Sequence, residues 1–109
     1  MPQDELAAIR HALDAARKAL SLAQSRARAD LDKDELLALA MVRLLELVGE
    51  AATNVSGDFR QKHADIPWKK MERLHDRLVL AHDINLDMVW ATARTDLPPL
   101  IMGLKKLAP

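Results

Sequence analysis

Asp34-Glu35-Leu36-Leu37-Ala38-Leu39-Ala40-Met41-Val42-Arg43-Leu44-Leu45-Glu46-Leu47-Val48-Gly49-Glu50-Ala51-Ala52-Thr53-Asn54 is the stretch that decides the fold class. Asp34 has a side chain suited to capping a helix, and Leu37, Met41, Leu44, Val48, Ala51 and Val55 follow at spacings of three and four, the period of one helical face. A helix from Asp34 to about Asn54 is predicted. Leu36, Ala40 and Leu47 widen its apolar band beyond what one core requires. Either this is a central helix contacted on two sides, or the extra flank forms a dimer interface. Arg43, Glu46 and Glu50 recur at three and four residues, so they read as an internal salt-bridge line or as one wall of a cleft.

Upstream, Leu6, Ile9, Leu13, Ala16, Leu20 and Ala23 give a first helix starting after Asp4, an acceptable cap, and fading in Ser25-Arg26-Ala27-Arg28-Ala29-Asp30, where the arginines read as solvated. Downstream, Ser56 can cap a short helix through Phe59 and His63. Ile66-Pro67-Trp68 then opens another, with Pro67 near the first turn, where a missing N–H costs nothing. In that helix Met71, Leu74, Leu78 and Ala81 form the buried stripe beneath Trp68, while Lys70, Arg73 and Arg77 share a separate basic face. Asp83-Ile84-Asn85 is a turn. Leu86, Val89 or Trp90, Ala93 and Leu97 mark a last amphipathic helix that Pro98-Pro99 should kink or break, and Leu100 to Leu107 resumes the pattern. The prediction is all-α: an antiparallel up-and-down bundle of four long helices with one or two short ones, forming a single domain over 1–109.

Composition supports this reading and narrows the chemistry. Leu and Ala supply most of the apolar content, and β-branched and aromatic residues are scarce. No stretch approaches the roughly 20 apolar residues of a membrane span, and the first residues lack a basic-then-apolar leader, so no membrane contact and a cytoplasmic location are expected. With no cysteine, thiolate metal sites and thiol nucleophiles are excluded. His11, His63, His75 and His82 never stand three or four residues apart, so no metal and no other cofactor is expected. The formal net charge is zero, so any contact with RNA must come from a local patch, a partner or a second copy of the chain.

The run Met41-Val42-Arg43-Leu44-Leu45-Glu46-Leu47-Val48-Gly49-Glu50-Ala51-Ala52 closely resembles the second conserved helix of the HepT-like branch of the HEPN superfamily. Phe59-Arg60-Gln61-Lys62-His63 with Ile66-Pro67-Trp68, then Asn85-Leu86-Asp87-Met88-Val89-Trp90, then Asp96-Leu97-Pro98-Pro99-Leu100 agree in order and spacing. The resemblance covers nearly everything from Asp34 onward. It implies a homodimeric helical bundle that acts with a minimal nucleotidyltransferase as a toxin–antitoxin pair. Active members are metal-independent ribonucleases carrying an arginine, a polar residue, three positions and a histidine, often with a tyrosine two residues later that the partner modifies with AMP.

Those residue types suit the chemistry. Without a metal, a histidine must move the 2′-hydroxyl or leaving-group proton, and an arginine must neutralise the phosphorane-like charge. In the register set by Ile66-Pro67-Trp68, however, the family's arginine falls on His75, its polar residue on Asp76, its histidine on Leu80 and its tyrosine on His82. The chain has no tyrosine, so AMP transfer to one cannot occur. Arg77 and His82 repeat the arginine-to-histidine spacing two positions later, a shift that turns both by about 200° around the helix. The candidate catalytic residues are therefore Arg77 and His82, with His75, and the candidate RNA-binding residues are Lys70 and Arg73. His75 and His82 are otherwise surface or interface histidines. Two functions are in view: a ribonuclease toxin with an altered motif, and a binding module partnering the nucleotidyltransferase with its nuclease weak or lost.

Overall fold

A computed structural model describes the backbone of residues 2–80 and 83–108, and side chains from residue 5 onward within those ranges. The helices run in the order α1 (Pro2–Ser25), α2 (Asp30–Lys33), α3 (Glu35–Glu50), a 3₁₀ turn (Ala51–Asn54), α4 (Gly57–Lys62), α5 (Trp68–Val79), α6 (Leu86–Ala91), a π turn (Thr92–Asp96) and α7 (Leu97–Leu107). The architecture is the all-α bundle expected, and no strand occurs among the described residues.

α3 is the central helix. Asp34 caps it by accepting from the Leu37 N–H at 3.1 Å, satisfying one of the free donors of the first turn. It buries Leu37, Met41, Val42, Leu45 and Val48 and packs against α1 on one side and α5 on the other. The broad apolar band thus serves two neighbours, yet Leu36 and Leu39 stand exposed on the outer face. The seam reduces to an Arg43–Glu46 ion pair at 3.4 Å on the surface.

α1 runs antiparallel to α3, since Glu5 near its start accepts from the Ser56 N–H just beyond the far end of α3. Its inner face is Ile9, Ala12, Ala16, Ala19 and Ala23, all fully buried. Alanine is a strong helix former and a small one, so this face lets α1 lie close against its neighbours. The helix already runs at Pro2, so Asp4 lies inside it and is not the boundary.

The last helices run back along α1, where Arg94 Nη1 donates to the Ala23 carbonyl at 3.4 Å. Asn85 caps α6 by accepting from the Met88 N–H at 3.1 Å. The expected break at Pro98-Pro99 is displaced upstream and softened. The chain widens into the π turn, with the Leu97 N–H donating to the Thr92 carbonyl, and the prolines then occupy the first turn of α7, where no N–H is needed. Val89, Ala93, Leu97 and Leu104 remain almost fully buried across it.

Arg28 corrects another expectation. It is not simply solvated: its Nε donates to Asp87 Oδ1 at 2.7 Å and its Nη1 stands 3.2 Å from Asp32 Oδ1. Its hydrogen bond to Asp87 first, then that to Asp32, raises its pKa above the ordinary arginine value. This side chain ties the α1–α2 connection to the first turn of α6.

Candidate nucleic-acid interface

α5 positions the candidate residues. Its start is fixed by the Trp68 indole, which is buried and donates to the His63 carbonyl at 3.0 Å, and Pro67 stands just outside the first turn as the N-cap residue. Trp68, Met71 and Leu78 then face the bundle. On another face Lys70, Arg73 and Arg77 line an open groove of about 770 Å³. Their heights along the axis differ by about 4.5 and 6 Å, from the rise per residue.

The opposite wall is the α6–π–α7 rod, contributing Met88, Thr92, Asp96, Leu97 and Leu100. Asp65, in the turn before α5, closes one end. Lys70 Nζ reaches across to Asp96 Oδ1 at 3.3 Å, with both side chains partly in water. Leu74 and Met71 supply an apolar floor. The groove thus pairs three cations with an apolar interior and two carboxylates. Arg43, Glu46 and Glu50 do not line it, so the α3 seam is no wall of this cleft.

His75 is not brought to this groove. Two positions from Arg77 along the helix is about 200° of rotation, and His75 is turned toward α3. A Cβ built on Gly49 would lie 2.7 Å from the Met71 carbonyl oxygen and 2.8 Å from both His75 Cβ and His75 N. Only a glycine at 49 permits that approach. The His75 Nδ1 is buried and makes no hydrogen bond, with Asp76 Oδ1 3.5 Å away. His82 lies outside the described residues. Arg77 also lines a smaller hollow of about 170 Å³ with Asp83, Ile84, Asn85 and Met88. Leu80 is 76% exposed, which fits a contact surface better than a catalytic cleft.

The HepT-like ribonuclease family matches residues 12–107. The chain belongs to this family. A HepT-like protein of Thermococcus cleftensis, whose name reads probable ribonuclease HepT, is 36% identical over 75 residues, 68% of each chain. A relative in Caldanaerobacter subterraneus subsp. tengcongensis, named as an RNase, is 35% identical over 79 residues, 72% of this chain and 70% of the relative. A longer protein of Methanocaldococcus jannaschii, named as a gamma-glutamylcyclotransferase and RNase, is 27% identical over 98% of this chain and 49% of its own length. No solved structure matches. No described helix is long and apolar enough to cross a membrane, and no three His, Asp or Glu among the described residues cluster as a metal site.

Sequence reasoning finds the basic face of α5 but not the groove's second wall. Asp65 and Asp96 carry no sequence signal of their own. Asp96, the last residue of the π turn, meets Lys70 across the groove, and the one hint of that turn is a pair of prolines inside an otherwise helical stretch.

Proposed function

We propose that the chain is the ribonuclease toxin of a HepT-like toxin–antitoxin pair, a metal-independent endoribonuclease with an altered motif. The observation that carries this is the row Lys70, Arg73 and Arg77 on one wall of an open groove, in a chain of a ribonuclease family. Lys70 and Arg73 hold the RNA backbone. Arg77 neutralises the charge that develops on phosphorus as the 2′-oxygen attacks, and His82 moves the 2′-hydroxyl or leaving-group proton. Attack by the 2′-oxygen expels the 5′-oxygen, leaving a 2′,3′-cyclic phosphate and a 5′-hydroxyl, so no external water or metal is needed for the first step. The protein acts in the cytoplasm as a homodimer beside a minimal nucleotidyltransferase, and the exposed Leu36, Leu39 and Leu80 offer a second copy apolar surface. In that arrangement the partner copy's residues complete the cleft, while His75, packed against Gly49, stays outside it.

A second reading is a HepT-like binding module that partners the nucleotidyltransferase without cutting RNA. It is favoured by His75, which packs against Gly49 and faces away from Arg77, and by Leu80 in the place of the family's histidine. Purified protein is incubated with single-stranded RNA beside His82→Ala and Arg77→Ala versions. Cleavage lost in both supports the toxin. Cleavage that survives both removes Arg77 and His82 from the chemistry, and no cleavage by any version selects the binding module.

A further inference from the structure

The groove holds more than a basic row requires. Phosphate contacts need only cations facing solvent, whereas Lys70, Arg73 and Arg77 stand at the rim of a hollow of about 770 Å³ whose interior is largely Met71, Leu74, Leu97 and Leu100. That volume falls in the range of pockets for small planar ligands. The rows on either side are also of opposite sign: cations on α5, and the carboxylates of Asp65 and Asp96 at the end and far wall.

We infer that this groove is a base pocket, taking an unpaired nucleobase from a strand laid along Lys70, Arg73 and Arg77 and using Asp65 and Asp96 to prefer bases with an exocyclic amine over uracil. This rests on the reading that the chain binds RNA. The cation heights of about 4.5 and 6 Å along α5 let successive residues follow a single strand's phosphates. The apolar interior rewards the face of an unstacked base, which a paired base inside a duplex does not present. Carboxylates accept from the amines of adenine, cytosine and guanine. Uracil offers one N3–H flanked by two carbonyl oxygens, which repel a carboxylate. Lys70 holds Asp96 by Oδ1, which fixes the carboxylate and leaves its second oxygen to accept. An acidic peptide would satisfy the cations but would meet Asp65 and Asp96 unfavourably, so charge favours a nucleotide, whose negative phosphate and amine-bearing base are separate groups.

The test measures binding of the full chain to labelled 2′-O-methyl oligo-A, oligo-C and oligo-U, which cannot be cut by 2′-attack, using fluorescence anisotropy at low salt. Oligo-A and oligo-C should bind about fivefold more tightly than oligo-U, the effect of one carboxylate–amine hydrogen bond of about 1 kcal/mol. Asp65→Asn with Asp96→Asn should abolish that preference while binding persists, because an amide accepts from an amine and donates to a carbonyl alike. Arg73→Ala should weaken all three equally. Equal binding of the three oligonucleotides by the wild type, with loss in Arg73→Ala, overturns the base pocket and leaves RNA binding standing. A preference that survives the double Asn variant also overturns it. No binding to any oligonucleotide, or capture of a Glu/Leu peptide instead, refutes both the pocket and the reading beneath it.

Discussion

Replacing Gly49 with alanine adds a methyl group where α3 and α5 already touch. The new carbon would sit 2.7 Å from the Met71 carbonyl oxygen, about 0.7 Å inside the 3.4 Å at which ordinary contact begins, and 2.8 Å from two atoms of His75. The oxygen and one of the His75 atoms are backbone, so no rotamer change relieves the clash and α5 itself must move. Overpacking of a well-packed core costs about 1–3 kcal/mol, and backbone obstruction places this case at the upper end. Alanine recovers about 1 kcal/mol of helix propensity over glycine. The net loss is about 2 kcal/mol, which for a domain near 100 residues lowers Tm by about 10 °C. Thermal and urea unfolding followed by circular dichroism measure it, with two internal controls. At Gly103 the added carbon meets only the far end of the Ile66 side chain at 2.9 Å, and at Gly57 it meets nothing within 4 Å. Both Gly103→Ala and Gly57→Ala should stay within about 0.5 kcal/mol of the wild type or gain slightly. A Gly49→Ala protein as stable as the wild type would refute the tight α3–α5 crossing.

Ser56→Ala and Asp34→Ala each remove a cap that accepts from a backbone N–H at 3.1 Å, and each should lower stability by about 1 kcal/mol in urea titration. Arg28→Ala breaks pairs that are partly in water, so a double-mutant cycle with Asp87→Ala should give a small coupling that shrinks in high salt. Because the folded pKa of Arg28 is raised, its contribution is fully present below the ordinary arginine value. It is lost only as pH rises through the folded pKa, so the guanidinium stays charged throughout the neutral range. Trp68→Phe removes the 3.0 Å indole donor to the His63 carbonyl, which keeps the Ile66 N–H at 3.1 Å, and should cost about 1 kcal/mol by urea unfolding followed by circular dichroism.

The helices were legible where one physical rule governed each end. Asp34 and Ser56 read as helix caps and both cap here, while Asn85, read only as part of a turn, caps α6 as well. Of the stripe Met71, Leu74, Leu78 and Ala81, Met71 and Leu78 are buried, Leu74 is half-buried, and Ala81 lies outside the described residues. Reading fails where two rules compete. Pro98 and Pro99 signal a stop, but Leu97 and Leu100 continue the core stripe, and burial prevails by widening the preceding turn. Arg28 reads as solvated because nothing near it in sequence names Asp87, which lies 59 residues away. The basic half of the groove was visible because its residues share one helix. The acidic half was not, because Asp65 and Asp96 join it only through tertiary packing. The wide apolar band of α3 shows the same limit: periodicity counts apolar positions, but only packing tells that Leu36 is 78% exposed while Leu45 is fully buried.

The buried Trp68 indole also gives the molecule an optical reporter. The chain has two tryptophans and no tyrosine, so its ultraviolet emission arises from Trp68 and Trp90 alone. Trp68 follows Ile66 and Pro67, which line the groove, and its ring meets Phe59 edge-on at 6.0 Å. Trp90 is half-buried two residues beyond Met88 of the facing wall. Neither indole lines the groove, and two residues of helix turn Trp90 about 200° away from Met88, so the emission of unlabelled protein reports the packing at the start of α5 and in α6.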